Sequence, residues 1–289
     1  MESGEIPPLV WSLSRKLRRR FCPRAAVLHY REARRGFDPD ASETDRRINR
    51  LHRIVPESKY LRQLLLRTMR EIFYRGGDDP DTLYPLALAR CESDFRRMVF
   101  GDAPLVIDAV YRHESGVTAL RTALRDSLYR QCRALSGGAW RELLEIPVSR
   151  RRFLASPLCL RINELACYAS PLLAYSDRGK LYWVELRGGT LAEHPEVMLM
   201  HRYYALNRSG RTPEALASCQ LDPETGDFRG VDRDFDVSAT LRLMSAEAAA
   251  HREEMTRPAA EIPANFGNCE RCVFVSYCGE KIKERNPRP

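Results

Sequence analysis

The 289-residue chain contains no run of about 18 apolar residues, so no helix is expected to cross a membrane. Met1 to Leu17 holds no long apolar stretch ahead of a small-residue cleavage site, so no secretion signal is expected. Internal repeats and low-complexity tracts are absent, which argues against solenoid and disordered classes. Lysine is scarce, at Lys16, Lys59, Lys180, Lys281 and Lys283 only, and no histidine lies between His52 and His113. The composition that remains, 44% hydrophobic and 30% charged, is that of a soluble globular protein of one large domain or two small ones. The expected compartment is a reducing cytoplasm.

What is abundant is arginine. The net charge is +8 and the pI about 9.1. Basic clusters fall at Arg15, Arg18, Arg19 and Arg20, at Arg34 and Arg35, between Arg46 and Arg53, and at Arg150, Arg151 and Arg152. Guanidinium forks grip phosphate through two parallel bonds, so the clusters are candidate contacts to DNA or RNA. The plainer reading is that they cover solvated faces.

Nine cysteines in so long a chain do not suggest a disulfide scaffold; clustered cysteines in a reducing compartment more often hold metal. Cys22 stands in Phe21-Cys22-Pro23-Arg24-Ala25, and the other end of the chain carries Cys269-x2-Cys272-x5-Cys278. Three thiols near one end and one near the other fit a four-thiolate centre, a [4Fe–4S] cluster or zinc. Zinc sites more often use two paired cysteine motifs, so the spacing leans toward iron–sulfur while zinc and no metal stay open. Such a centre would tie position 22 to position 269, a closure that stabilises by on the order of 5 kcal/mol in the chain-entropy picture. Cys91, Cys132, Cys159, Cys167 and Cys219 read as buried small apolar side chains. His29 and His251 are the histidines that could replace a thiol, and both read as surface residues. Arg24 and Arg271 would offset the thiolate charge.

Helical spacing of Trp11, Leu13, Leu17, Phe21, Ala25 and Leu28 predicts a helix over 9–35, capped at Ser12 or Ser14 and interrupted at Pro23. Helices are also expected over 43–75, 81–100 and 117–135, with Asp102 to Val110 ambiguous. After Gly137-Gly138 the pattern shifts to short strands in 152–165, 166–175 and 180–187, with Asp177-Arg178-Gly179 as a hairpin turn. A helix over 194–208, a strand over Ala217–Leu221, a turn at Pro223–Gly226 and a helix over Ser238–Thr256 complete the order. The expected architecture is α/β with a helical insertion: a single domain comprising a helical subdomain (36–136), a core (137–250) and a cysteine-bearing tail (251–289) packed on 9–35.

Trp11-Ser12-Leu13-Ser14-Arg15, the Phe21–Ala25 segment, the C-terminal cysteine triplet and the stretch from Tyr168 to Gly189 together resemble the iron–sulfur branch of the PD-(D/E)XK nuclease superfamily. That branch includes the CRISPR-adaptation exonucleases and RecB/AddB-type nuclease domains. The resemblance covers most of the chain. It implies a restriction-endonuclease-like core, a small mixed sheet flanked by helices, and a [4Fe–4S] cluster on Cys22, Cys269, Cys272 and Cys278. The active positions depart from the family pattern. Leu172 stands where the metal-binding aspartate would follow Pro171. Glu185-Leu186-Arg187 replaces Asp/Glu-x-Lys. Met200 takes the place of the glutamine four residues before Tyr204, and Arg67 lies where a histidine is expected. Phosphodiester hydrolysis at such a site needs carboxylates converging on a hard cation, and Arg187 does not substitute for a lysine ammonium.

The expectation is therefore a pseudo-nuclease: a nucleic-acid-binding or scaffold subunit of a prokaryotic nucleic-acid-processing or defence complex, contacting DNA or RNA through Arg15, Arg18, Arg19, Arg20, Arg150, Arg151, Arg152 and Arg187, with protein partners and no membrane. Two alternatives stay open: a divergent Mg²⁺- or Mn²⁺-dependent nuclease with relocated carboxylates (Glu142, Glu145 and Glu164 are candidates), and a purely structural protein-binding subunit.

Overall fold

The structure, a computed structural model, describes residues 9–100, 103–112, 116–155, 157–188, 191–231 and 234–278. Asp102, Gly189 and the tail from 279 to 289, each part of a segment singled out above, lie outside the described residues. In chain order, β1 (Leu9–Ser12) leads into α1 (Leu13–Phe21), α2 (Pro23–Val27), a π-helical turn (Leu28–Glu32), α3 (Ala33–Arg35) and α4 (Glu43–His52). Then come β2 (Ile54–Val55), α5 (Glu57–Tyr74), α6 (Leu83–Val99), β3 (Val106–Ile107), α7 (Asp108–Arg112), α8 (Val117–Gly137) and α9 (Ala139–Leu144). The remainder is β4 (Arg151–Arg152), β5 (Leu158–Ile162), β6 (Leu165–Ala169), β7 (Leu173–Asp177), β8 (Lys180–Leu186), α10 (Pro195–Arg208), β9 (Leu216–Leu221), β10 (Phe228–Val231) and α11 (Val237–Thr256). The fold is mixed α/β, and no described helix is long and apolar enough to cross a membrane.

Several boundaries differ from expectation. The first four described residues form a strand, not helix, and extended Ser12 caps α1 by accepting the Arg15 N–H at 3.2 Å. The break falls at Cys22, whose backbone is extended, and Pro23 opens α2, where its missing N–H is no loss. The helix expected over 43–75 is two helices. Pro56 has no N–H to continue the ladder, and β-branched Ile54 and Val55 extend before it. Strand β10 was not anticipated.

The described residues divide into two compact units, one drawn from residues 1–54, 161–167 and 242–289, the other from 55–160 and 168–241. In the first, Leu28, Ile48 and Leu51 pack with Cys22, Cys272 and Phe274 into one core. β1 belongs to a three-stranded sheet of order β1-β6-β5, of which residues 161–167 are the hairpin tip.

The second unit packs α5, α6, α8 and α9 on one face of a five-stranded sheet of order β10-β9-β8-β7-β4. β7 and β8 pair antiparallel through a two-residue turn, with Arg178 and Gly179 both at positive φ (45° and 81°), the conformation a tight hairpin demands. Tyr175 and Tyr182 are paired across it with their rings stacked at 4.7 Å. β8 and β9 pair in parallel, Glu185 opposite Gln220, with α10 as the crossover between them. β9 returns antiparallel to β10 through a turn at Gly226, where φ is +75° and an added Cβ would lie 2.2 Å from the Ala134 carbonyl. Alternation on β8 sets the layers: Val184 and Leu186 enter the helical core, while Trp183 and Glu185 face α10.

Candidate functional sites

The strand pattern of the second unit positions the residues at which the resemblance would place an active site. Leu172 is fully buried in the main core, its N–H donating to the Val184 carbonyl at 2.8 Å. Met200 is also buried, and Tyr204 packs edge-on against Trp183 at 5.1 Å. Neither Leu172 nor Met200 offers an oxygen to a cation.

Glu185 is already engaged. Its Oε1 accepts from Trp183 Nε1 at 2.9 Å and lies 3.1 Å from His201 Nε2. His201 is fully buried, and its Nδ1 lies 2.9 Å from Ser218 Oγ. The network assigns the ring: Nε2–H donates to the carboxylate, and Nδ1 accepts the Ser218 hydroxyl. Burial pushes the imidazole below its ordinary pKa despite the pull of Glu185. Burial alone would raise Glu185; hydrogen bonds from His201 and Trp183, with Arg187 nearby, outweigh it and hold the carboxyl below the usual range. A neutral histidine therefore donates to an ionised glutamate. His201 was not singled out in the sequence. Arg187 is largely turned inward: burial lowers its pKa and its Nε is buried with no hydrogen-bond partner.

Of the carboxylates named as possible replacements, Glu142 and Glu145 line one cavity of about 300 Å³ with Asp177 and Arg150. Asp177 there accepts from Arg150 at 2.7 Å. Glu164 is exposed at the β5–β6 turn in the first unit.

The basic clusters divide in use. Arg151 donates to the carbonyls of Ile146 (2.8 Å), Leu144 (2.7 Å) and Phe73 and stacks over the Phe73 ring at 4.4 Å. Burial lowers its pKa. Arg152 donates to Ser176 Oγ at 3.1 Å. In the first unit, α1 carries Arg15, Arg18, Arg19 and Arg20. Arg15 stacks over Tyr30 at 4.4 Å, Arg19 grips Glu254 with bonds of 2.9 to 3.0 Å, and the well-exposed Arg20 reaches Glu247 at 3.4 Å.

The same unit gathers the four thiols expected to act together. Cys22 and Cys272 are buried members of one core, and Cys278 packs against it. Asn268 ties the cysteine loop to the start of the chain, its Nδ2 donating to the Phe21 carbonyl at 2.6 Å. Arg24 holds the segment ahead of that loop, donating to the carbonyls of Ile262 (2.9 Å) and Ala260 (3.2 Å). Burial pushes Cys278 up to about 11, with Cys272, Cys22 and Cys269 adding to the rise and Arg24 opposing it. Cys272 is raised by burial, with the Cys22 and Cys269 thiols adding to it. The donors are thus right in kind for a thiolate-seeking centre and share one corner. Among the described residues, no group of three or more His, Cys, Asp or Glu side chains is arranged to hold a metal ion as it stands. Of the five other cysteines, Cys91, Cys132, Cys167 and Cys219 are buried as expected, whereas Cys159 is exposed on β5. His251, expected at the surface, is buried.

Compared with known proteins, the chain matches no family model and no curated protein.

Proposed function

We propose that the protein is a catalytically degenerate relative of the iron–sulfur PD-(D/E)XK nucleases, serving as a nucleic-acid-binding or scaffold subunit of a prokaryotic nucleic-acid-processing or defence complex in the cytoplasm. The observation that carries this reading is the state of Glu185. It is the one carboxylate left in the motif, and Trp183 and His201 already occupy it. With Leu172 in the core where the aspartate would be, no group of three or more His, Cys, Asp or Glu side chains among the described residues is arranged there to hold Mg²⁺. The hairpin β7–β8, crossover α10 and parallel return to β9 support a restriction-endonuclease-like core. In this reading Cys22, Cys269, Cys272 and Cys278 hold a [4Fe–4S] cluster, with zinc as the alternative occupant. The cluster supplies a crosslink between the ends of the chain, and Arg24 beside it offsets thiolate charge. Nucleic acid meets the arginines of α1, and protein subunits complete the assembly.

The second reading, a divergent nuclease, is favoured by Glu142, Glu145 and Asp177 sharing one cavity. Cluster-loaded protein incubated with labelled single- and double-stranded DNA and RNA, with and without Mn²⁺, decides. The proposal predicts salt-sensitive binding without cutting. Metal-dependent cutting abolished by Glu142→Gln or Glu185→Ala would overturn it, and an absence of any mobility shift at low salt would leave the purely protein-binding subunit.

A further inference from the structure

A cavity of about 370 Å³ in the second unit lies where the end of α8 meets the starts of α6 and α9. Tyr129, Arg133 and Ser136 share one face of α8 by helical spacing. Ser136 Oγ donates to the Pro80 carbonyl at 2.8 Å, which ties the short helical turn Pro80–Thr82, and with it Asp81, to that end of the helix. Tyr84 follows in the first turn of α6, and Arg141 lines the cavity from α9. The rings of Tyr84 and Tyr129 meet edge to face, 5.2 Å apart at 76°. A parallel pair such as Tyr175 and Tyr182 covers its own inner faces; a perpendicular pair leaves ring faces that the partner does not cover. Tyr129 is 46% exposed. Arg133 and Arg141 are exposed, and among the described residues neither guanidinium bonds to a side chain or a carbonyl. Asp81 shares the cavity and pairs with neither. On the same helical layer Arg90 is held by Glu71, and Arg121 and Arg125 by Glu92.

We propose that this cavity seats one nucleotide of a single strand, its base against the tyrosine rings and its phosphate between Arg133 and Arg141. The inference rests on the nucleic-acid reading above and gives it a contact within the second unit; a free mononucleotide is the other source of the same chemistry. Guanidinium forks take phosphate oxygens in pairs, and a tyrosine ring accepts any base, because every base has a π-face. Neither part selects a ligand alone. A planar ring joined to a phosphate answers both within one cavity, and the volume falls in the range of about 300–1,000 Å³ that small-molecule pockets occupy. Asp81 works against a denser anion, such as a triphosphate or an acidic peptide, by like-charge repulsion. The groups stand on helix ends joined by hydrogen bonds, so the rings and forks are positioned before a ligand arrives.

The test uses the full chain, purified anaerobically, beside Tyr129→Ala, Tyr129→Phe and the double variant Arg133→Gln/Arg141→Gln. All three side chains are exposed, and unchanged urea midpoints check that the variants fold. Fluorescence anisotropy reads a short oligothymidylate over a salt series, and calorimetry reads thymidine 5′-monophosphate. An oligothymidylate carrying 5-iodouracil is photocrosslinked to the unmodified chain, and mass spectrometry finds the attached residue. The expected crosslink is on Tyr129 or Tyr84. Tyr129→Ala should weaken the oligonucleotide about tenfold, while Tyr129→Phe keeps its affinity. The double variant should lower the salt slope by about 0.7, the share of one phosphate on a single strand. If the monophosphate binds and Tyr129→Ala abolishes it, but no oligonucleotide binds, the site stands with a free nucleotide as its ligand and the nucleic-acid reading falls. An oligonucleotide that binds parent and variants alike, with crosslinks elsewhere, refutes the cavity and leaves that reading in place. Binding of neither probe refutes both.

Discussion

Replacing Glu185 by alanine separates a structural glutamate from a catalytic one by the sign of the stability change. Glu185 Oε1 is the acceptor for two buried donors, Trp183 Nε1 at 2.9 Å and His201 Nε2 at 3.1 Å. Deleting it strands both, and each stranded buried donor costs about 1–3 kcal/mol. Its side chain keeps 13% exposure, so water entering from that side recovers part of the loss. The net expectation for Glu185→Ala is a destabilisation of about 3 kcal/mol. Glu185→Gln retains a carbonyl oxygen for both donors and should lose about 1 kcal/mol or less. Urea unfolding at pH 7.5, followed by the fluorescence of the tryptophans, reads both variants as changes in midpoint at constant slope. A carboxylate kept for catalysis is held against the stability of the fold, and its removal commonly stabilises. Glu185→Ala as stable as the parent, or more so, would refute the claim that this carboxylate is bound into the core.

Further outcomes follow from other contacts. Arg151→Ala should destabilise by about 2–4 kcal/mol, because the carbonyls of Ile146, Leu144 and Phe73 lose their donor. It should leave the salt slope of oligonucleotide binding unchanged, since that guanidinium is turned to the backbone; unfolding and mobility-shift series on the same preparations check both. His251 binds its proton at about 4 when folded and nearer 6.5 when unfolded. The unfolded state therefore takes up more protons between those values, and stability must fall as pH drops through that window, by about 3 kcal/mol in all. His251→Leu should flatten that part of the stability–pH curve.

The hairpin β7–β8 was legible because its turn chemistry is local: two residues at positive φ are what Asp177-Arg178-Gly179 offers. The gathering of Cys22 with Cys272 follows from packing of the first helices on the C-terminal loop. His201 was not legible, because nothing near it in sequence announces burial. Its partners, Glu185 and Ser218, lie on two parallel strands joined through its own helix. The signal available was a lone histidine within the apolar run from Val197 to Tyr204. His251 was misread as a surface residue for a similar reason: the elements that cover it, α1 and Tyr30, lie more than two hundred residues earlier. Apolar spacing continues through Arg53–Pro56, so the split between α4 and α5 was hidden from periodicity, although Pro56 marked it. Leu172 after Pro171 was visible in the sequence, but only the structure brings Trp183 and His201 onto Glu185.

Everything turns on whether thiols from the two ends of the chain bind one inorganic centre. The direct measurement is iron, acid-labile sulfide and zinc per chain in anaerobically purified protein, set beside the same assay on Cys22→Ser. The account predicts about four irons and four sulfides per parent chain, both lost in Cys22→Ser together with much of the stability of the first unit. A parent protein free of metal, or a Cys22→Ser protein that keeps its full complement, would contradict it.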